Sequence, residues 1–306
     1  MKSNHPPAKP GGFLYLAKKL NTKARIAVAA IVLATTASLQ VVEAQGLPVI
    51  FGHHYRPHYW DLPTEFSEGF WFPGQTLSYN STDKKYDAHG NKVSLGGTHD
   101  FVFGFTILPY LFKFNPSDAW AYAFSLNTYE YKDRFDGTPG LSGVGNLIPA
   151  FTGWTKPTKA STVGYDILLG LPIVASKDMD QRKTDIYLRG FYDTNINNVN
   201  FEGVTGYHHA FKGRGETVGY KDDYHVNFRL GYDIVGVTGR DLTVTPYVAL
   251  DRQWNQGNTQ SLTNAGLGVR VGHKNFMNWT VSYTKSLNGR DMIEANMLQS
   301  QIWWPI

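Results

Sequence analysis

The side chains best suited to chemistry in this sequence are acids, bases and histidines that stand singly between apolar residues. They are Asp166, Arg189, Asp193, His225, Arg229, Asp233, Asp251 and Arg270. Charges of both signs around a narrow space can select among passing solutes, or they can pair and fill the space as a salt-bridged network. Both interpretations require structural elements that hold these groups together and away from apolar surroundings.

Motifs of enzymatic chemistry are missing from the sequence. No nucleophile elbow, P-loop, dinucleotide fingerprint or His-Glu-x-x-His motif occurs, so we predict no catalytic residue and no cofactor. His53, His54 and His58 could converge on a divalent ion, but a solvated, aromatic-rich tail explains them better, and we predict no metal site. His208 and His209 are neighbours in a predicted strand and point to opposite faces, where they cannot easily chelate one ion.

The elements that carry the charged residues have a period of two. Every second residue from Tyr224 to Ile234 is apolar, and polar or small residues lie between them. The same alternation occurs in Thr162–Leu171, Leu242–Asp251 and Asn264–Gly272. Because successive side chains of a strand point to opposite faces, each segment has one apolar face and one polar, glycine-rich face.

Two architectures give this alternation. In a soluble β-sandwich the apolar face packs on a second sheet, whereas in a membrane barrel it faces lipid and the polar face lines the lumen. The predicted strands are long, at roughly ten to fourteen residues, where about 5–6 is usual in globular proteins. Charged side chains facing lipid would cost about 2–4 kcal/mol for Arg or Lys at the bilayer midplane, so a barrel places the eight residues in its lumen. We predict an all-β fold, an antiparallel up-and-down transmembrane β-barrel.

Turn-forming clusters divide the region after residue 68 into about twelve strands, an even number as single-chain bacterial barrels have, although ten or fourteen remain possible. The predicted strands span 69–80, 98–112, 119–131, 145–155, 160–174, 183–195, 198–210, 222–235, 241–254, 261–273, 276–287 and 292–304. The 198–210 strand is the weakest, because Gly203, Gly206 and two histidines interrupt it.

Aromatic residues are abundant, with 18 Tyr, 18 Phe and 8 Trp among 306 residues. Ten of them near strand ends or faces are predicted to form girdles at the lipid interface, although a path for a hydrophobic ligand would also use aromatics. They are Tyr59, Trp60, Trp71, Tyr79, Tyr110, Trp120, Tyr122, Trp154, Trp279 and Tyr283.

The N-terminal region resembles a secretory signal peptide. Six basic residues precede the apolar run Ile26–Leu39, and Val42-Glu43-Ala44 offers a cleavage site before Gln45. Without the 6 basic and 1 acidic residues of 1–44, the totals of 29 and 25 become 23 and 24, a net charge of −1. The basic excess therefore belongs to targeting, and no nucleic-acid partner is predicted. We predict a signal peptide over 1–44, an irregular extension and possible plug over 45–68, and a barrel over 69–306.

The C-terminal residues alternate as an outer-membrane strand does. Ile302, Trp304 and Ile306 share one face, although Pro305 is unusual and a terminal aromatic is absent. We expect this strand to address the chain to the barrel-assembly machinery and the wall to contact outer-membrane lipid.

Four segments within roughly residues 70–255 carry short turn and strand signatures, namely Pro73–Asn91, Gly140–Trp154, Gly170–Pro172 and Tyr220–Ile234. Together they resemble the "MetA-pathway of phenol degradation" family of outer-membrane barrels. The family usually continues Leu-Pro with Thr-Gly, where this chain has Ile173-Val174. The resemblance implies a barrel and a role in the uptake of aromatic or other hydrophobic compounds.

These observations predict a non-enzymatic channel or facilitator for small, hydrophobic or aromatic molecules in the cell outer membrane. A closed structural or interaction barrel is the alternative, because Arg and Asp side chains with an inserted N-terminal segment could fill the interior. A lipid-modifying envelope enzyme is a third hypothesis, but it would need a Ser or His with partners at the outer rim, which the sequence does not show.

Overall fold

The computed structural model describes residues 62–173, 184–211, 222–236, 241–273 and 277–306. The predicted signal peptide and most of the 45–68 extension, including the three histidines at 53, 54 and 58 and the aromatics at 59 and 60, lie outside the described residues. In the described part, no helix is both long and apolar enough to cross a membrane.

The described chain forms sixteen strand segments in one antiparallel sheet. They are β1 (Phe70–Trp71), β2 (Gly74–Tyr86), β3 (Lys92–Phe112), β4 (Trp120–Phe135), β5 (Leu141–Val144), β6 (Ile148–Thr158), β7 (Ser161–Gly170), β8 (Asp185–Ile196), β9 (Val199–Ala210), β10 (Asp223–Tyr232), β11 (Ile234–Val235), β12 (Leu242–Asn255), β13 (Ser261–His273), β14 (Asn278–Arg290), β15 (Met292–Ile293) and β16 (Asn296–Trp303).

Twelve of these segments close into a barrel. Each long strand pairs with the next one along the chain, and β16 pairs with both β14 and β2, so the sheet has no free edge. The short segments β1, β5, β11 and β15 pair antiparallel with the ends of β3, β4, β12 and β2, respectively. The prediction of a twelve-stranded up-and-down barrel is confirmed.

The two ends of the barrel differ. The end near β1 and the last residues of β16 has short connections, such as residues 159–160 and 197–198, whereas residues 136–147, 171–184 and 211–222 connect strands at the other end. Short periplasmic turns and longer extracellular loops are typical of outer-membrane barrels, and the ends are named accordingly. At the β8–β9 turn, Asn197 and Asn198 have φ values of 51° and 68°, a conformation that Asn tolerates better than most residues.

Strand bounds depart from the prediction mainly in the first hairpin. The predicted strand 69–80 is two segments, because Phe72 and Pro73 separate β1 from β2. β3 begins at Lys92 rather than residue 98, since its extracellular part lacks the apolar alternation on which the prediction relied. The weakly predicted 198–210 strand is β9, which pairs along its length with β8 and β10. Gly206 leaves room there for the His225 ring, which a Cβ at this position would meet.

Alternation of exposure separates the lipid-facing and inward faces. On β2, Leu77 is exposed while Thr76 and Ser78 are buried, and on β13 Leu267 is exposed while Arg270 is buried. The exposed set is apolar and the buried set is mixed, as expected for a wall that has lipid on one side and an interior on the other.

Candidate functional site

The barrel interior contains the residues that sequence analysis singled out. The eight predicted side chains are all buried, with exposed fractions between 0% and 8%. They lie on β7 (Asp166), β8 (Arg189 and Asp193), β10 (His225 and Arg229), β12 (Asp251) and β13 (Arg270), and Asp233 follows β10 directly. The strands therefore place them on inward positions, and their contact with a passing solute stays a prediction.

Two ion pairs cross neighbouring strands in this interior. Arg189 Nε lies 3.7 Å from Asp166 Oδ2, and the Thr152 hydroxyl donates to Asp166 Oδ1 at 2.6 Å. Arg229 Nη1 lies 3.2 Å from Glu202 Oε1, because the strand register sets these residues opposite each other. Glu202 was not among the residues predicted from the sequence. It occupies an inward position of β9, the strand that was predicted with the least support, and alternation along that strand could have identified it.

Asp233 serves a different purpose from the ion pairs. It accepts hydrogen bonds from Asn195 Nδ2 at 2.7 Å and from the Thr245 hydroxyl. These bonds join the periplasmic ends of β8, β10 and β12. Asp233 is therefore part of the frame that holds the periplasmic rim, where it is also well satisfied as a buried carboxylate.

Much of the interior carries amide, hydroxyl and charged groups. We define the polar wall as the inward side chains of β9, β10, β12, β13, β14, β16 and β2. Its buried members include Asn200, Glu202, Asn227, Arg229, Asp251, Asn264, Arg270, Thr280, Thr284, Gln299, Gln301, Thr76 and Ser78. The seam between the last and first strands belongs to this wall, where Gln299 Nε2 donates to Ser78 Oγ at 2.9 Å and Gln301 Nε2 to Thr76 Oγ1 at 3.1 Å.

The opposite part of the interior is predominantly apolar, a contrast that the sequence did not predict. We define the aromatic wall as the inward side chains of β3, β4 and β6. Its buried members include Phe101, Phe103, Phe105, Ile107, Leu111, Ala121, Ala123, Tyr129, Tyr131, Ile148, Ala150 and Trp154. Phe103 is the centre of a stack, with ring centroids 6.3 Å from Phe105, 6.1 Å from Phe101 and 5.3 Å from Tyr129.

A chamber of about 60 Å³ lies within this interior toward the periplasmic end. Phe105, Ile107 and Leu168 contribute apolar surface, while Asn127 and Arg189 contribute polar groups. The chamber exceeds the 10–15 Å³ or so that one water molecule needs, and its lining has both apolar and hydrogen-bonding character.

Residues on either side of β1 line the periplasmic end of this chamber. Leu62 and Phe72 line it, and Trp154 Nε1 donates to the Pro63 carbonyl at 3.0 Å. The prediction that Trp154 belongs to the lipid-facing girdle is wrong, because its side chain is fully buried inside the barrel. Successive side chains of a strand point alternately inward and outward. Trp154 is an inward residue of β6, whereas Phe151 and Gly153 are on its outward face, and only outward residues can reach lipid.

Histidines at the extracellular rim point in opposite directions. His208 faces inward, where it stacks on Tyr187 at 4.0 Å and lies 3.3 Å from Asp223. His209 pairs instead with Asp222 at 2.7 Å, and the Tyr207 hydroxyl donates to the same carboxylate at 2.9 Å. These hydrogen bonds, that of His209 first, lower the pKa of Asp222, which lies outside the membrane-spanning strands. Within the described ranges, no three His, Asp or Glu side chains are grouped to hold a metal ion.

The sequence of this barrel matches the profile of a known protein family. The sequence profile of the "MetA-pathway of phenol degradation" family matches residues 82–301. The chain belongs to this family. The match begins later and ends closer to the C-terminus than the resemblance over residues 70–255 indicated. A search of curated protein sequences finds no match.

Two solved structures share the fold at low sequence identity. An outer membrane channel from Pseudomonas putida F1 is 13% identical, with a TM-score of 0.64 over 86% of this chain and 100% of the other. The beta domain of the Bordetella autotransporter Brka is 12% identical, with a TM-score of 0.52 over 78% of this chain and 100% of the other. Both are similar to this chain in fold, which is that of an outer-membrane β-barrel.

Proposed function

We propose that this protein is a passive channel of the outer membrane for small molecules that combine an apolar, often aromatic, surface with a hydrogen-bonding group. The observation that carries the proposal is the aromatic wall. Water-filled barrels have polar interiors, whereas here rings of β3 and β4 face inward. An apolar solute can exchange water for ring contacts along this wall without covalent chemistry.

The polar wall supplies the complementary half of the proposal. Charged and amide groups such as Arg229, Asp251 and Gln299 are buried opposite the rings. Paired charges in a narrow passage favour solutes that can hydrogen-bond and disfavour bulky or purely apolar ones. Family membership and the fold shared with a Pseudomonas putida channel support a channel role, and the family description supports an aromatic solute.

A closed barrel is the second candidate, and one observation favours it. Leu62 and Pro63 lie at the periplasmic end of the chamber, fixed by the Trp154 hydrogen bond. A segment in this place narrows the passage. We infer that residues 45–68 act as a plug, so that the two candidates differ in whether this segment leaves the barrel.

Flux measurements on purified protein in liposomes test both candidates. The wild type is expected to pass phenol-sized aromatic solutes faster than sugars of equal mass. Deletion of residues 45–68 is expected to raise flux for both classes and to increase single-channel conductance. A complete lack of flux in the wild type and in the deletion variant would contradict the channel proposal.

A pair of matched variants tests the aromatic wall itself. Phe103→Leu removes a buried, inward ring, whereas Phe124→Leu removes an exposed ring on the lipid-facing side of the neighbouring strand. We expect Phe103→Leu to lower aromatic flux several-fold while sugar flux is unchanged, and Phe124→Leu to leave both unchanged. Equal effects of the two variants would show that ring placement inside the barrel is irrelevant to transport.

Delivery to the outer membrane belongs to the same proposal. We infer cleavage of a signal peptide after Ala44 and recognition of the C-terminal strand, which ends at Trp303, by the barrel-assembly machinery. N-terminal sequencing of protein from the outer-membrane fraction should begin at Gln45. Protein that retains residues 1–44 there would contradict the cleavage.

A further inference from the structure

Outward-facing cations lie toward the extracellular end of the wall formed by β12, β13 and β14. Arg252 on β12 and Lys285 on β14 are exposed on the outer face, and Arg290 is exposed at the end of β14. The one acid on these three fully described strands is Asp251, which is buried on the inward face. This part of the outer wall therefore carries positive charge that its own strands do not balance.

An open apolar groove of about 830 Å³ runs across the same wall below the cations. The strand register aligns Val248, Leu267, Tyr283 and Leu298 in one row across β12, β13, β14 and β16. Leu230 of β10 continues the row on one side, where it pairs with Val248. All five side chains are exposed and all line the groove.

The register also fixes the height of the cations above this row. The next row toward the extracellular end contains Leu250, Ala265 and Lys285, and the row after that contains Arg252. Two residues of a strand span about 7 Å, so the Lys285 backbone lies about 7 Å from the groove row, toward the extracellular end. Ala265 is small and leaves the path open between Leu250 and Lys285. Arg252 is supported from above, with its guanidinium 5.9 Å from the Trp254 ring centroid.

We propose that this face binds a phosphorylated, multiply acylated glycolipid of the outer leaflet. The phosphate group would lie on Lys285 and Arg252, and an acyl chain would occupy the groove. Arg presents a fork of donors that matches phosphate, Lys binds it as a compact charge, and both residues stand where the apolar band ends and headgroups begin. The ordering of charge above apolar surface matches the ordering within such a lipid.

A second copy of the chain fits this face less well. Two copies in one membrane have the same orientation, so a symmetric contact through the groove would bring Lys285 and Arg252 of both copies to the same level. Like charges that meet at an interface oppose association. A phosphorylated lipid neutralises the same charges, which is why the lipid is the favoured occupant.

Another part of the wall provides a matched control. Lys132 and Arg134 of β4 are also exposed, outward-facing and near the extracellular end. They differ in having acids beside them, since Glu130 lies on the same face and Asp100 pairs with Arg134 across the strands. Their charge is thus balanced within the protein.

Native mass spectrometry of the full mature barrel in nanodiscs tests the proposal. The discs would contain phosphatidylethanolamine with a small fraction of bisphosphorylated lipid A, or of phosphatidylglycerol in a parallel series. We expect the wild type to retain lipid A selectively on release. The Arg252→Gln/Lys285→Gln variant is expected to retain it at least about tenfold less, because each charge-assisted hydrogen bond is worth about a decade in affinity. The Lys132→Gln/Arg134→Gln variant should retain it like the wild type.

Filling the groove is an independent probe, since Ala265→Phe blocks the path without changing any charge. This variant should also lose lipid A, and heat-modifiable migration on gels will show that each variant is folded. Equal retention by the wild type and the Arg252/Lys285 variant would overturn the proposal. Retention of phosphatidylglycerol as strong as that of lipid A would overturn it as well, as would a dimer that covers this face.

Discussion

The aromatic wall and the polar wall are buried to a similar degree but are stabilised differently. Phe103 packs among Phe101, Phe105 and Tyr129, and its contacts are numerous and interchangeable. Arg229 forms an ion pair with the Glu202 carboxylate, 3.2 Å away, and its guanidinium lies 5.5 Å from the centroid of the Tyr247 ring. A ring that shifts keeps most of its stabilisation, whereas a charge that loses its partner becomes costly. We therefore expect the polar wall to be the more rigid side of the interior, and the proposed function assigns the solute path to the aromatic wall.

The largest effect on stability is expected on the polar wall. Arg229→Met removes the cation that pairs with the buried Glu202 carboxylate, and we expect a loss of about 3–5 kcal/mol in the free energy of unfolding. The double variant Arg229→Met/Glu202→Leu should recover most of this loss. Urea unfolding in lipid vesicles, followed by tryptophan fluorescence, measures both. If Arg229→Met alone is as stable as the double variant, the ion pair between Arg229 and Glu202 is not needed for stability.

A smaller loss is expected on the aromatic wall. Phe105→Ala should lower the free energy of unfolding by about 2–3 kcal/mol, below the roughly 3–5 kcal/mol of a closed core, because Phe105 borders the chamber. Phe105→Leu keeps most of the volume and should cost less than about 1.5 kcal/mol. If Phe105→Ala costs more than Arg229→Met under the same conditions, the contrast between the walls is reversed.

The seam should show an intermediate dependence on single partners. Gln301→Leu leaves the Thr76 hydroxyl without its donor, and we expect a loss of about 1–2 kcal/mol. Adding Thr76→Val removes the stranded hydroxyl and should restore part of the stability. The temperature at which the folded band shifts on gels compares the three proteins. If the folded band of all three proteins shifts at the same temperature, the seam does not depend on this hydrogen bond. It would then tolerate substitution as the aromatic wall is expected to.

The smallest effect is expected outside both walls, at Asp222. Its folded pKa lies below the ordinary 3.8, so its hydrogen bonds with His209 and Tyr207 contribute stability above pH 3.8 that is lost as pH falls through the folded value. Asp222→Asn should remove this acid dependence and change stability little at neutral pH, because the site is partly exposed and screened by solvent. Unfolding midpoints of the wild type and of Asp222→Asn are measured between pH 2 and 7. The same slope of midpoint against pH in both proteins would contradict this prediction.

The sequence predicted the polar wall better than the aromatic wall, and the reason is physical. On β10, apolar and polar residues alternate, so the inward phase of His225 and Arg229 is plain. On β3, the run from Phe101 to Phe112 is apolar on both faces, because one face meets lipid and the other packs on rings. Periodicity carries no information where both environments are apolar. Trp154 was misplaced for the same reason, since tryptophan suits a lipid interface and a ring stack alike.

The number of strands could be predicted, because turns interrupt the alternation of apolar and polar residues at regular intervals. The ends of the strands were harder to predict. The extracellular part of β3 extends beyond the apolar band, where neither face is held by lipid. Partners such as Glu202 with Arg229 depend on cross-strand register, which a single sequence specifies only through the phase of each strand.

The seam between β16 and β2 has a consequence for the order of events during assembly. Gln301 and Thr76 are 225 residues apart in the chain, whereas β8 and β9 meet through a two-residue turn. Hairpins of the latter kind can form while neighbouring segments are still unpaired, but bringing the seam together carries the entropy of closing nearly the whole chain. Until that moment β2 and β16 are open edges able to pair with other strands. We therefore expect ring closure to be the final step, and we expect a partner that shields strand edges to contribute most at that step.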